Sequence, residues 1–120
     1  MERAWDTGLI VVAAAGNMGP GEGSITAPGS SRKIITVGSS DLLVKNRGIS
    51  GRGPTNDCII KPDVVAPGND VISCAKRNDN LHDTNKSGTS MSTTVVSGDH
   101  ALLFERETWL KNFENNKSLR

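Results

Sequence analysis

The sequence is poor in aromatic residues, which make up 3% of its 120 residues, and tyrosine is absent. It also lacks an uninterrupted apolar run of about 18 residues, the length that a membrane-spanning helix requires. The sequence contains 14 basic and 13 acidic residues, so the two signs of charge are nearly balanced. This balance gives no reason to expect nucleic acid or a membrane surface as a partner.

Cysteine and histidine are scarce, with two residues of each. Cys58 and Cys74 do not have the spacing of metal ligands, so we predict no metal site. We expect two buried, free thiols, and a disulfide between them is the alternative. Residues 1–7 lack the apolar stretch of a secretory signal peptide. Glycine, by contrast, is frequent at 13 residues, which is typical of a loop-rich protein with many tight turns.

The order of the apolar segments predicts an α/β fold with a mainly parallel sheet. Residues 1–7 are expected to end a helix that Gly8 terminates. The continuous apolar run 9–15 predicts a strand that is buried on both faces. A long helix is expected to begin near Ser90 and to reach residue 104 or beyond. Shorter strands are expected at 34–38, 63–66 and 71–74, and loops at 17–31, 41–56 and 76–86.

Two segments about seventy residues apart carry groups that suit acyl transfer. Residues 87–92 (SGTSMS) put Ser90 between small residues at the start of the predicted helix, and residues 13–17 (AAAGN) end the apolar run in Asn17. Acyl transfer needs a nucleophile on a tight turn and a hydrogen-bond donor for the developing oxyanion. Ser90 and Asn17 are therefore candidates for these roles. From the motifs alone, Ser90 is equally consistent with a helix N-cap, and a loop asparagine is the favoured interpretation of Asn17.

Four blocks, in this order, resemble the subtilisin-like serine proteases: residues 8–17 (GLIVVAAAGN), 49–55 (ISGRGPT), 61–68 (KPDVVAPG) and 88–92 (GTSMS). The resemblance spans residues 4–104 and implies the C-terminal half of such a peptidase domain. Residues 105–120 would then form a charged tail that continues the helix. The implied fold is a subtilisin-like, mainly parallel sheet flanked by helices, of which this chain carries only a part.

The resemblance implies a serine endopeptidase that acts on a protein or peptide and needs no cofactor. Relatives often bind calcium, but no cluster of carboxylates in the sequence supports such a site. Thr26 stands where many relatives have glycine, which suggests a shallower or more polar substrate pocket. The two walls of that pocket would be formed by Ala14, Ala15 and Gly16 and by Thr26, Ala27, Pro28 and Gly29.

The sequence offers no convincing general base for Ser90. The family presents its triad in the chain order Asp, His, Ser, so the first two blocks would lie before Met1. His82 and Asp83 are expected to form a solvated loop pair, because adjacent residues in an extended loop diverge. His100 lies ten residues after Ser90, about 15 Å along a helix axis.

The predicted helix departs from the family pattern at Thr94, where relatives have proline, and at residues 97–101 (SGDHA), where they have small apolar residues. Helical spacing groups Asp99 with the apolar face, where a buried carboxylate would be costly. These departures suggest three alternatives: a piece of a split or mispredicted gene, a degenerate relative, or a subunit completed by another chain that supplies the missing half.

Two functions follow from these alternatives: a peptidase whose Asp and His come from outside this chain, or a non-catalytic, peptide-binding module. On its own, the chain is expected to be inactive. It is also expected to aggregate, because its apolar strands would lack cover.

Overall fold

The computed structural model describes residues 1–40, 49–77 and 80–117. None of the helices that it describes is long and apolar enough to cross a membrane. In chain order the elements are α1 (Glu2–Asp6), β1 (Val12–Ala14), β2 (Ile35–Ser39), β3 (Val64–Ala66), β4 (Val71–Arg77), β5 (Asn80–Lys86) and α2 (Thr89–Lys117).

Strands β1, β2 and β3 form a parallel sheet in that order. Val37, in the middle of β2, lies beside Ala14 of β1 on one side and Val64 of β3 on the other. Because the three strands are parallel, their carboxyl ends share one edge of the sheet. The predicted α/β architecture with parallel strands is confirmed, and so is the start of the long helix.

The first turns of α2 cover one face of this sheet. Val96 of the helix packs with Val37 and Ala66 in a buried cluster, against which Val12, Ile35 and Val95 are partly buried. Adjacent valines at 95 and 96 give the helix a β-branched apolar surface that fits the valines of the sheet. Packing in this cluster fixes where the helix starts relative to the ends of the strands.

A buried lysine joins the entries of β2 and β3. The Lys61 side chain is 2% exposed, and its Nζ donates to the Asp63 carboxylate at 2.6 Å and to the Ile34 carbonyl at 2.8 Å. The same carboxylate accepts the backbone N–H of Thr36 at 2.7 Å. Each charged group thus meets partners that compensate for its removal from water.

An exposed ion pair fastens α1 to the segment before β2. Lys33 Nζ lies 2.7 Å from Asp6, and both side chains are about half exposed. The hydrogen bond from Asp6, followed by its charge, raises the pKa of Lys33 above its ordinary value of 10.5.

The prediction of a polar loop at 76–86 is wrong. Residues 80–86 form β5, which pairs antiparallel with β4 in a two-stranded sheet. His82 stands opposite Ala75, and Asp83 stands opposite Cys74. Of the loop expected at 41–56, residues 41–48 lie outside the described part of the chain.

Three expectations about burial are also wrong. The strand at 9–15 is shorter than expected, and Leu9 and Ile10 are 62% and 39% exposed. Asp99 is exposed, so it carries no cost of burial. Cys58 and Cys74 are free, as expected, but both are exposed.

Candidate functional site

Ser90 lies at the carboxyl edge of the parallel sheet, where α2 begins. It is the second residue of the helix and is exposed, so it does not occupy the N-cap position. The turn before it is held by Gly88, whose backbone N–H donates to the Gly68 carbonyl at 2.7 Å. Gly68 follows β3 by two residues, so this contact ties the start of α2 to the end of that strand.

Asn17 follows β1 and contacts the same turn. Its Oδ1 accepts hydrogen bonds from Thr89 N at 3.0 Å and from Thr89 Oγ1 at 3.1 Å. Because a backbone N–H can only donate, the oxygen of the carboxamide must face Thr89. Its Nδ2 hydrogens are therefore directed away from Thr89, on an exposed side chain. The left-handed conformation at this turn falls on Gly16, with a φ of 96°, so the turn itself does not require an asparagine.

The turn has no space for a side chain at Gly68. A Cβ at this position would overlap Ser92 Oγ and would lie 2.7 Å from Ser39 Oγ and 2.8 Å from the Gly88 carbonyl oxygen. Ser39 and Ser92 are buried, and their hydroxyls have no hydrogen-bond partner in the described part of the chain. Because Gly68 has no side chain, the backbone that follows β3 can lie close to the backbone at Gly88, just before Ser90.

The two segments expected to form the substrate pocket are neighbours. Thr26 N donates to the Ala15 carbonyl at 3.0 Å, and a Cβ at Gly16 would overlap Thr26 Oγ1. A Cβ at Gly29 would lie 2.5 Å from the carbonyl oxygen of Ala14. Ala15 is fully buried and presents no surface to a ligand. Thr26 is half-buried, and Ala27 and Pro28 are exposed.

His100, the histidine whose side chain the structure describes, is not placed as a partner for Ser90. His100 lies on α2 with its Nδ1 at 3.0 Å from the Val96 carbonyl oxygen, one turn earlier in the same helix. His82 lies on β5, in the separate two-stranded sheet. In residues 1–40, 49–77 and 80–117, no three His, Cys, Asp or Glu side chains come together as metal ligands.

Sequence reasoning missed two residues of this site. Thr89, which binds Asn17, stood unremarked in the GTS motif, and Gly68 stood unremarked at the end of the KPDVVAPG block. A signal existed for Gly68, since a glycine directly after a proline marks a turn. Nothing in the sequence indicated that Gly68 would meet Gly88, because that contact is set by tertiary packing.

The sequence is similar to those of known serine proteases. The chain is 37% identical to the serine protease AprX of Bacillus subtilis over 88% of this chain and 28% of AprX. It is 38% identical to a thermophilic serine proteinase of Bacillus sp. strain AK1, over 83% of this chain and 22% of the relative. It therefore spans less than a third of either relative.

Solved structures show the same fold. The prenylagaramide maturation protease PagA matches with a TM-score of 0.72 and 28% identity, over 92% of this chain and 37% of that one. Sphericase matches with a TM-score of 0.60 and 32% identity, over 81% of this chain and 34% of that one. A family model of the subtilases matches residues 1–119. The chain thus has a partial subtilisin-like α/β fold and belongs to the subtilase family of serine peptidases.

Proposed function

We propose that this chain carries the nucleophile and oxyanion site of a serine endopeptidase, with Ser90 as the nucleophile and Asn17 as the oxyanion donor. The observation that supports this most is the contact of Asn17 Oδ1 with Thr89, the residue before Ser90. That contact orients the carboxamide while it leaves Nδ2 free to donate. Residues 4–104 would form the C-terminal half of the peptidase domain, and residues 105–120 its tail.

In the proposed reaction, Ser90 Oγ attacks the carbonyl carbon of a peptide bond. The hydroxyl proton passes to a histidine, and the electron pair of the carbonyl moves onto its oxygen. Asn17 Nδ2 donates to this oxyanion, with a preorganised dipole that does not have to reorient during the reaction. The histidine then protonates the leaving amine, and water hydrolyses the acyl-enzyme to regenerate Ser90.

The histidine and its aspartate come from outside this chain in this proposal. His100 is about 15 Å along α2 from Ser90, and its ring is engaged by the Val96 carbonyl. We therefore infer that a polypeptide with the remaining part of a subtilase domain completes the site. Without it, we expect the chain to be inactive.

The substrate side chain that precedes the cleaved bond would lie between residues 14–16 and residues 26–29. Because Ala15 is fully buried, the first wall offers Ala14 and Gly16 to a substrate. The Thr26 hydroxyl lies against Gly16, so the pocket would be shallower and more polar than one with glycine at this position.

Co-expression with the missing part tests the proposal. The chain is produced together with the part of AprX that precedes the matched region, and peptide hydrolysis and labelling by a fluorophosphonate are measured. Ser90→Ala should abolish both. Ser97→Ala is the matched control, because Ser97 is another exposed serine of α2, bonded to the Thr93 carbonyl, and it should retain both. Equal labelling of the wild type and of Ser90→Ala would refute the role of Ser90.

A non-catalytic, peptide-binding function is the second candidate. The position of His100, further along α2 with its ring bonded to the Val96 carbonyl, favours it for the chain in isolation. In that case a peptide ligand would bind the wild type and Ser90→Ala with equal affinity, and no hydrolysis would appear in the completed complex.

A further inference from the structure

We infer that residues 49–52 (ISGR) position the Asn17 carboxamide for its oxyanion role, with Gly51 as the principal positioning residue. The inference deepens the proposed function and rests on it, because it concerns the geometry of the same site. This supporting segment (residues 49–52) belongs to one of the four blocks of the family resemblance, yet the proposed reaction gives it no role. It acts through the backbone of the turn that carries Asn17.

The turn that carries Asn17 is hydrogen-bonded to the supporting segment on both sides of the asparagine. Gly51 N donates to the Gly16 carbonyl at 2.8 Å. Gly19 N donates to the Ile49 carbonyl at 2.9 Å. Because a peptide unit is planar, the first bond fixes the unit that joins Gly16 to Asn17 and thereby the Asn17 Cα. A shift of the Asn17 backbone would therefore strain at least one of these two hydrogen bonds.

The close approach of the two backbones requires glycine on each side. A Cβ at Gly51 would lie 2.5 Å from the Ala15 carbonyl oxygen. A Cβ at Gly19 would overlap the carbonyl oxygen of Ser50. Because these oxygens belong to the backbone, they yield only if the chain itself moves. A methyl group at either position would thus displace the turn that carries Asn17.

The supporting segment is itself anchored to the end of β2. Ser50 is 5% exposed, and its hydroxyl accepts the backbone N–H of Ser39, the last residue of β2, at 3.1 Å. Arg52 N donates to the Ser24 hydroxyl at 3.1 Å, and Ser24 N donates to the Arg52 carbonyl at 3.0 Å. The segment thus joins the sheet to the loop on which Asn17 lies.

The position of Asn17 depends on two separate contacts. The contact of Oδ1 with Thr89 sets the direction of the carboxamide, whereas the supporting segment sets where the Cα lies. An oxyanion donor has to lie about 2.7–3.1 Å from the developing charge, and a misplacement of about 1 Å can cost about a hundredfold in rate. Displacement of the turn should therefore lower kcat and leave KM nearly unchanged, because the bond to the oxyanion forms in the transition state.

Alanine substitutions on the two sides of the contact test the inference. In the complex with the part of AprX that precedes the matched region, Gly51→Ala and Gly19→Ala should each lower kcat by about tenfold to a hundredfold. Gly53→Ala is the matched control for Gly51→Ala, because its Cβ would lie 2.8 Å from the carbonyl oxygen of Lys61, on a different segment. Gly21→Ala is the control for Gly19→Ala, since nothing lies near the position of its Cβ. Both controls should retain the kcat of the wild type.

A combination with Asn17→Asp separates positioning from a general loss of structure. If Gly51 acts through the carboxamide, Gly51→Ala should cost little further kcat in a chain that already carries Asn17→Asp. Ser50→Ala is a variant without added bulk: it removes the hydrogen bond to β2 and should lower kcat by about fivefold. An equal loss of kcat from Gly51→Ala in both backgrounds would overturn the inference. So would the kcat of the wild type in Gly51→Ala, Gly19→Ala and Ser50→Ala.

A measurement that does not depend on activity separates this inference from the proposed function. The ¹⁵N–¹H signals of the Asn17 side-chain amide, recorded in the same sample, should shift in Gly51→Ala and stay in place in Gly53→Ala. Such a shift, in a protein whose wild type neither hydrolyses peptides nor labels, would support the positioning of Asn17 and refute the catalytic role. Hydrolysis by the wild type, with Asn17 signals that do not move in Gly51→Ala, would support the catalytic role and overturn the inference.

Discussion

At the scale of single residues, the two ends of the Asn17 carboxamide have different partners. Oδ1 accepts two hydrogen bonds from Thr89 and so caps the first turn of α2 from a distant loop. Nδ2 is left for the proposed oxyanion. A structural and a catalytic role can therefore be tested separately, by changing one end of the side chain at a time.

Asn17→Asp keeps an oxygen for Thr89 and removes the N–H donors. In the completed enzyme, we expect kcat to fall by about 10²–10³, the cost of losing one such donor in subtilisin, with little change in KM. Asn17→Ala should lose the same activity and, in addition, about 1 kcal/mol of stability, because it removes the cap. Steady-state kinetics and thermal unfolding measure the two effects. Full activity of Asn17→Asp would contradict the oxyanion role.

The glycine contact behind Ser90 gives a second prediction. Gly68→Ala should cost about 1–3 kcal/mol and slow the labelling of Ser90, because its Cβ would push Ser92 and the Gly88 carbonyl apart. Gly98→Ala is the control: Gly98 lies on α2 with nothing near the position of a Cβ. It should stabilise the helix by about 0.5–1 kcal/mol. If both variants label Ser90 at the wild-type rate, the crowding at Gly68 has no influence on the site.

At the scale of elements, the sequence predicted what local patterns determine. The apolar runs located β1, β2 and β3, and the GTS motif located the start of α2. The same patterns gave wrong predictions where contacts with a distant segment of the chain determine the structure. Residues 80–86 (NLHDTNK) have no apolar alternation, and they form β5 only because β4 lies beside them.

The predictions of burial were wrong for the same reason. Helical periodicity correctly groups Asp99 with Leu102 and Leu103, but it does not reveal whether another element covers that side. All three are exposed, because the sheet covers only the first turns of α2. The candidate site shows the same limit: motifs in the sequence nominated Ser90 and Asn17, whereas Gly68 and Thr89 emerged only from contacts across the fold.

The Lys61–Asp63 pair yields a prediction about how β2 and β3 are joined. Asp63→Ala should strongly destabilise the sheet, by up to about 3–5 kcal/mol, because it leaves the Lys61 ammonium buried with the Ile34 carbonyl as its remaining partner. Asp6→Ala is the matched control, since its lysine lies at nearly the same distance but is exposed, and exposed pairs contribute little. Hydrogen exchange at the Ser40 amide, which donates to the Ala66 carbonyl of β3, reports on this junction. Equal exchange in the two variants would show that burial of Lys61 does not matter.

At the scale of the whole molecule, the buried apolar core is small for a chain of this length. Within the described residues, its side chains are those of Ala13, Ala15, Ile34, Val37, Ala66 and Val96. Three of these are alanines, which bury little area. Large apolar side chains such as Leu103 and Trp109 are 55% and 60% exposed. Because apolar burial is the main favourable term in folding, this core is a weak basis for independent stability.

We therefore predict that the isolated chain lacks a sharp unfolding transition and self-associates through its exposed apolar surface. Thermal unfolding followed by circular dichroism should be broad, and light scattering should show species larger than a monomer. Adding the preceding part of AprX should sharpen the transition and reduce the association, because we expect it to cover exposed apolar side chains and to enlarge the core. A monomeric sample of the isolated chain with a sharp cooperative transition would contradict this prediction. The 120 residues would then be a self-sufficient domain, in spite of a core composed largely of alanine and valine.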